Sequence, residues 1–247
     1  MKEKGAFTMS DLKNKRIITV ATTGAWPKKE NNPKVPLQPD EIAEEIYQCW
    51  KIGAAVAHVH VRDEQGNDSM KVETFKKVID TLHSSHPDCD IVLNLTAAGG
   101  IANSEDDRMA PFKTLKPEMA SFDCGTMNWM HMGVFNNNPP FLEKMGLAMQ
   151  EAGVKPEIEV FDPGMIYDAG YYLKKGILKA PCTSSSAWAA PAASPPPSRI
   201  WCSCAPPWRR WPPAPPGPPS AWARAPWRSC TPPSPPAATS GWAWRTT

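Results

Sequence analysis

Residues 55–63 read AVAHVHVRD. Valines alternate with two imidazoles, His58 and His60, and the run ends in charge at Arg62 and Asp63. Side chains alternate across a β-strand, so both histidines share one face and Val59 and Val61 share the other. The valine face suits a layer of helices. The histidine face then points to the inside of the sheet, close to the strand's C-terminal end.

The neighbours of this strand set its context. RIITVATTGA (16–25) is β-branched and ends in glycine, which reads as a buried strand. QPDEIAEEIYQCWKIGA (38–54) opens on proline and acids, repeats apolar residues at helical spacing and closes on Gly53. After the histidine strand come a helix at 70–86, a strand at 90–100 that runs into a glycine loop, and a shorter strand at 118–129. A helix at 138–153, a strand at 155–164, a helix at 165–176 and the opening of another strand at 177–181 complete the pattern. Strands alternating with helices at this period mean a parallel sheet, because parallel strands need crossovers. The fold expected is an α/β (β/α)8 TIM barrel, which takes about 250 residues and places its site on the loops after the strands. It is truncated after about the sixth strand. The alternative is a doubly wound sheet, but ATTGAW after the first strand is not a dinucleotide-binding glycine pattern.

The chain divides into an N-terminal extension (1–15), a partial barrel (16–181) and a Pro/Trp-rich tail (182–247) expected to be disordered and non-globular. Residues 1–181 hold 21 basic and 25 acidic residues, a formal charge of −4. The tail carries six arginines, no acid, 17 of the 29 prolines and 8 of the 11 tryptophans. The overall charge of +2 therefore describes neither piece, and it gives no reason to expect nucleic acid. No apolar run approaches the roughly 20 residues of a membrane span. Cys49, Cys89 and Cys124 are scattered without a C-x-x-C pair or a signal peptide, which fits a cytoplasmic protein with reduced thiols. Cys202 and Cys204 are too close for a usual zinc clip.

Two imidazoles on one strand end suit a metal site, which needs a third ligand and an open position for substrate. The alternative is a pair of core histidines hydrogen-bonded to neighbours. Further polar groups stand at strand ends. Thr96 ends the third strand, Ser121 and Asp123 share a face of the fourth, and Glu157 and Glu159 share a face of the fifth, followed by Asp162. A buried acid is costly unless paired, so Glu159 meets a cation or the substrate, or pairs with a base such as Arg62. Thr96 and Ser121 either face a substrate or hydrogen-bond within the barrel layers. The glycines of AAGG (97–100) could bring backbone N–H groups to an anion. His83 and His86 end a helix and are expected to be solvated, while His131 lies in a loop.

The stretches TGAW, LQPDEIAEE, GAAVAHVHVRDEQG, LKPEMASFDCGTMNW and GVKPEIEVFDPGM together resemble the β-keto acid cleavage enzymes. That family includes the 3-keto-5-aminohexanoate cleavage enzyme of lysine fermentation. The resemblance runs from about Arg16 to Pro181. It implies a (β/α)8 barrel with a divalent metal, usually zinc, held by His58 and His60. It implies that Thr96, Ser121 and Glu159 lie around the substrate, and that the working protein is a homotetramer. It implies acyl exchange, in which a β-keto acid and the co-substrate acetyl-CoA give acetoacetate and a new CoA ester. Where family members carry Glu after GA, this chain has Trp26, so the resemblance does not extend to an aminated substrate. The family's base and third metal ligand come from a late G-x-E-D-N stretch that this chain lacks, so no catalytic residue is retained. Two other readings remain open at this stage. One is a metal-dependent barrel hydrolase or aldolase using the same two histidines. The other is a non-enzymatic truncated barrel with a proline-rich interaction tail.

The tail has an explanation at the level of codons. Read one base out of register, residues 182–201 can encode the family's HFQ, glycine-rich and ENL pieces in order. PAATSGWAWRTT (236–247) can encode GGHVRVGMEDN, with the glutamate in the codons of Trp244 and Arg245. A frameshift near Pro181–Cys182 accounts for the missing acids, Leu and Val together. The chain as written is then expected to leave an open sheet edge, to fold poorly and to turn over little.

Overall fold

The computed structural model describes residues 17–129, 132–186 and 243–246. The N-terminal extension, residues 187–242 of the tail and His131 lie outside the described residues. Strands and helices are numbered in chain order.

The β-branched and apolar runs become β1 (Ile17–Ala21), β2 (Val56–Val59), β5 (Val92–Leu95), β6 (Met119–Asp123) and β9 (Lys155–Val160), all parallel. β10 (Thr183–Ser186) adds a sixth parallel strand beside β9. The crossovers run through α1 (Pro39–Lys51), α2 (Val72–Ser85), α3 (Glu105–Leu115), α4 (Pro139–Ala152) and α5 (Pro163–Lys174). Each crossover advances the sheet by one strand in the same direction. A doubly wound sheet would reverse at a switch point, so that alternative fails and the winding is that of a barrel.

Two short pieces of the segment expected to lack order are strands. β10 takes up the strand expected to open at 177–181, but it starts at Thr183, six residues after 177, and none of 177–181 is in a strand. β11 (Ala243–Thr246) runs antiparallel to β1 along Ile17–Val20 and also lies against β10. The two ends of the strand order therefore meet, and the β1 edge expected to be open is paired. The physical reason is that ladder bonds are made by backbone groups, which a serine- or tryptophan-containing stretch possesses like any other. The direction of β11 is opposite to that of a barrel strand.

Helix boundaries follow local chemistry. Pro39 opens α1, and the Glu41 carboxylate accepts hydrogen bonds from the Leu37 and Gln38 amides. The Asn138 side chain caps α4, which stops at Gly153 in the left-handed region. Asp162 caps α5 by accepting from the Gly164 and Met165 amides. α3 is not among the helices expected from the sequence pattern. Its Ser104–Asp107 capping box was a readable start signal, but Pro111 sits inside the helix and the apolar periodicity is faint. Residues 118–129, expected to form one strand, do not. The structure divides them into β6 and β7 (Met127–Trp129), and β7 turns into a hairpin with β8 (Gly133–Phe135). A second hairpin pairs β3 (Val61–Arg62) with β4 (Asp68–Ser69).

The core lies between the strands' outer faces and the helices. Val59, Val61, Leu93 and Leu95 meet Ile42 and Ile46 of α1 and Phe75, Val78 and Leu82 of α2. Phe122 and Ile158 meet Phe112 of α3, Phe141, Met145 and Met149 of α4, and Met165 and Tyr172 of α5. α4 comes close to the chain after α5 at Gly146, where a Cβ would stand 2.6 Å from Ile177 Cγ2 and 3.0 Å from its carbonyl oxygen. No helix among the described residues is long and apolar enough to cross a membrane.

Candidate active site

Strand alternation puts Val59 and Val61 into the helix-side core and the histidines on the concave side, as the sequence pattern required. There they line a cavity of about 210 Å³. The same inner row carries Asp123 from β6, Glu157 and Glu159 from β9, and Ser185 from β10.

The Nε2 atoms of His58 and His60 lie 3.1 Å apart. On its other side, His58 Nδ1 lies 3.5 Å from a Glu157 oxygen and 3.6 Å from a Glu159 oxygen. Asn94 of β5 donates its amide to Glu157 and sits 3.3 Å from His58 Nδ1. Burial, with the His58 ring and the Arg62 charge adding to it, holds His60 well below the usual imidazole range, so His60 is neutral at neutral pH. Burial and the neighbouring Asp123 and Glu157 carboxylates push Glu159 well above the usual carboxylate range. Glu159 keeps its proton and is hydrogen-bonded to Asp123, which burial also raises against the opposing pull of Arg108.

This donor set fits a divalent cation. Two ligand nitrogens about 2.0–2.1 Å from a zinc ion stand roughly 3.3 Å apart in a tetrahedron, close to the separation of the two Nε2 atoms. Carboxylates behind His58 Nδ1 would orient the ring and raise its basicity, the usual arrangement behind a metal-bound histidine. Several buried polar atoms nearby have no partner among the described residues: His60 Nδ1, Asp123 Oδ2 and Asn94 Oδ1. His58, Glu157 and Glu159 also offer ligand atoms that all lie within 4.8 Å of one another.

The remaining candidates take other places. Glu159 lines the cavity. Thr96 and Ser121 are buried under the loop after β5, where their hydroxyls accept from the Ala98 amide at 3.1 Å and the Ala97 amide at 2.9 Å. They thus shape the AAGG loop, and Gly100 of that loop reaches the cavity. Gly99 takes a left-handed conformation (φ 60°) and presses against Met70, which leaves no room for a side chain. Asp162 is spent on capping α5. His83 is exposed, as expected, but His86 is half-buried, stacked on Tyr47 at 3.7 Å and paired with Glu44 at 3.0 Å.

Arg62 does not pair with Glu159. It is buried, and its guanidinium donates to the Gly24, Pro27 and Gly66 carbonyls at 2.7–3.2 Å, which fixes the loop that carries Trp26. The sequence reading missed Arg108. This residue of α3 donates to the Ala97 and Asn136 carbonyls and to Asn137, and so ties the loop after β5 to the β7–β8 hairpin. The signal that could have found it is the Ser104 capping box that starts α3.

The family profile described as beta-keto acid cleavage enzyme matches residues 15–200. A 3-keto-5-aminohexanoate cleavage enzyme of Fusobacterium nucleatum is 39% identical over 170 residues, covering 69% of this chain and 61% of that protein. A 3-dehydrocarnitine:acetyl-CoA trimethylamine transferase of Rhizobium meliloti is 36% identical over 187 residues, covering 67% of this chain and 61% of that protein. The chain thus spans about three-fifths of the length of these relatives. Among solved structures, a ternary complex of ObcA with a C4-CoA adduct and oxalate superposes with a TM-score of 0.53 at 22% identity. It covers 59% of this chain and 35% of that one, a likeness of fold. The chain belongs to the beta-keto acid cleavage enzyme family.

Proposed function

We propose that this chain derives from an enzyme that transfers the carboxymethyl part of a β-keto acid to the acetyl group of acetyl-CoA. The bond between C2 and C3 of the keto acid breaks and a new bond forms from C2 to the acetyl carbon. Acetoacetate leaves, and the remaining acyl group departs as its CoA ester. The observation that carries the reading is the facing pair of imidazole Nε2 atoms at 3.1 Å, backed by carboxylates inside one cavity.

In this reading His58 and His60 hold a divalent metal, taken to be zinc, through Nε2. Bound there, the metal supplies a Lewis acid for the keto oxygen and carboxylate and so stabilises enolate charge. Glu157 keeps the His58 ring in orientation. Burial and its acidic neighbours raise Glu159 in the metal-free site and a bound cation would lower it again, so Glu159 is assigned as a cavity group that hydrogen-bonds the substrate rather than as the base. The base that takes the C2 proton belongs to the segment read as shifted out of frame. The chain as written is therefore an impaired, frame-shifted version of a cytoplasmic, homotetrameric enzyme. The four described cysteines, all free thiols, suit that compartment.

The test compares the chain as written with a chain whose frame is restored after Pro181. Both are supplied with zinc, acetyl-CoA and a panel of β-keto acids, and acetoacetate is measured. The restored chain should form it, and His58→Ala or His60→Ala should abolish it. Absence of acetoacetate from the restored chain with every keto acid would defeat the reading.

A further inference from the structure

The cavity changes character away from the imidazoles and carboxylates. Its other wall is Trp26, Ile101, Trp129, Phe135 and Phe161. Trp129 joins this wall together, its ring 6.1 Å from that of Phe135 and 6.2 Å, edge-on, from that of Phe161. The buried cation behind Phe135 is Arg108, sandwiched between Phe135 and Phe141 at 4.6 and 4.5 Å with its N–H groups committed to Ala97, Asn136 and Asn137. Among the described lining residues there is no Lys or Arg, and every carboxylate belongs to the histidine end. A charge carried onto such a wall would lose water and find no charged partner; the wall's Trp129 offers only a buried, neutral indole N–H, itself without a partner among the described residues. Trp26 is 39% exposed, so it stands at the cavity's rim, on the loop that Arg62 fixes.

We infer that the substituent on the far side of the substrate's keto group is uncharged, an alkyl or aryl group, and that Trp26 discriminates against charged tails. This rests on the reading of the histidine end as the site of the keto-acid head. Isothermal titration calorimetry on the full chain, with zinc and without any CoA, tests it. Four probes share that head: 3-oxohexanoate, with an uncharged tail; 3-oxoadipate, with a carboxylate; 3-keto-5-aminohexanoate, with an ammonium; and 3-dehydrocarnitine, with a quaternary ammonium. The uncharged tail should bind tightest, by about tenfold or more, because a wall without an opposite charge rejects a charged tail. Trp26→Phe should keep that order. Trp26→Glu should shift it toward 3-keto-5-aminohexanoate.

Any charged tail that binds as tightly as 3-oxohexanoate overturns the inference, and a preference for 3-dehydrocarnitine would mean that the aromatic wall reads a cation instead. An unchanged order in Trp26→Glu overturns the role of Trp26. If no probe binds to the chain as written or to the chain with its frame restored after Pro181, the keto-acid reading itself fails and takes the inference with it.

Discussion

Replacing Arg62 by methionine should destabilise the protein and free the loop that bears Trp26. Methionine keeps an unbranched apolar stem in the buried slot and removes the guanidinium. The carbonyls of Gly24, Pro27 and Gly66 then lose the donors that reach them at 2.7–3.2 Å. Each lost partner costs about 1–3 kcal/mol. The Gly24–Pro27 loop is at least half-exposed, so water can replace the lost donors there, and the low end applies. Removing a charge that burial already disfavours returns part of the loss. Against that, Asp68 loses the positive charge that offsets its own burial. The net is about 2–4 kcal/mol, a large share of the ~5–15 kcal/mol that stabilises a typical protein. For a chain of this size it corresponds to a fall in Tm of roughly 4–16 °C. Urea unfolding followed by far-UV circular dichroism gives the free energy, and amide exchange of the 21–31 peptide reports the loop. A change below about 0.5 kcal/mol, with unchanged exchange in that peptide, would refute the assignment of Arg62 as the clamp.

Zinc in hundredfold excess over its Kd should raise stability by about 2.7 kcal/mol, or roughly 5–11 °C in Tm; a thermal scan with and without chelator checks this, and His58→Ala or His60→Ala should remove the shift. Burial pushes the Asp68 carboxyl up to about 6, so the unfolded chain releases that proton first as pH rises. Stability should therefore fall between about pH 4 and pH 6 and then level off, and Asp68→Asn should flatten that fall in pH-resolved urea titrations. Gly146→Ala should cost about 1–3 kcal/mol by overpacking against Ile177, and its urea midpoint should drop accordingly.

The winding of the sheet was legible because period-2 strands and period-3.6 helices alternate with short links, and the inward turn of His58 and His60 followed from strand pleating alone. Glu159 was legible for the same reason. The roles of Thr96, Ser121 and Asp162 were not, because a hydroxyl or carboxylate at a strand end serves a loop amide or a helix cap as readily as a ligand. Arg62 and Arg108 show the same limit from the other side. Their partners are carbonyls 11 to 38 positions away, apart from Gly66, and no local pattern announces them. α3 was missed where Pro111 broke the expected pattern, and β10 and β11 because composition weighs side chains while ladders are made by backbone.

The distribution of charge ties these observations together. Asp123, Glu157 and Glu159 crowd around His58 and a neutral His60. Arg62 and Arg108, the two buried arginines of the described residues, face away onto backbone carbonyls. The protein thus uses its own cations to fix the walls of the cavity and leaves the negative cluster only partly compensated, by the pull of Arg108 on Asp123. Part of that strain is relieved by the proton Glu159 retains. A divalent ion between the imidazoles would relieve it further, because a positive charge there lowers the carboxylate pKa values and makes release of that proton favourable. Loading with zinc should therefore release protons, and the release should shrink in Glu159→Gln. Calorimetric titration of zinc in buffers of different ionisation enthalpy measures the number directly, and an equal release from wild type and Glu159→Gln would place the retained proton elsewhere.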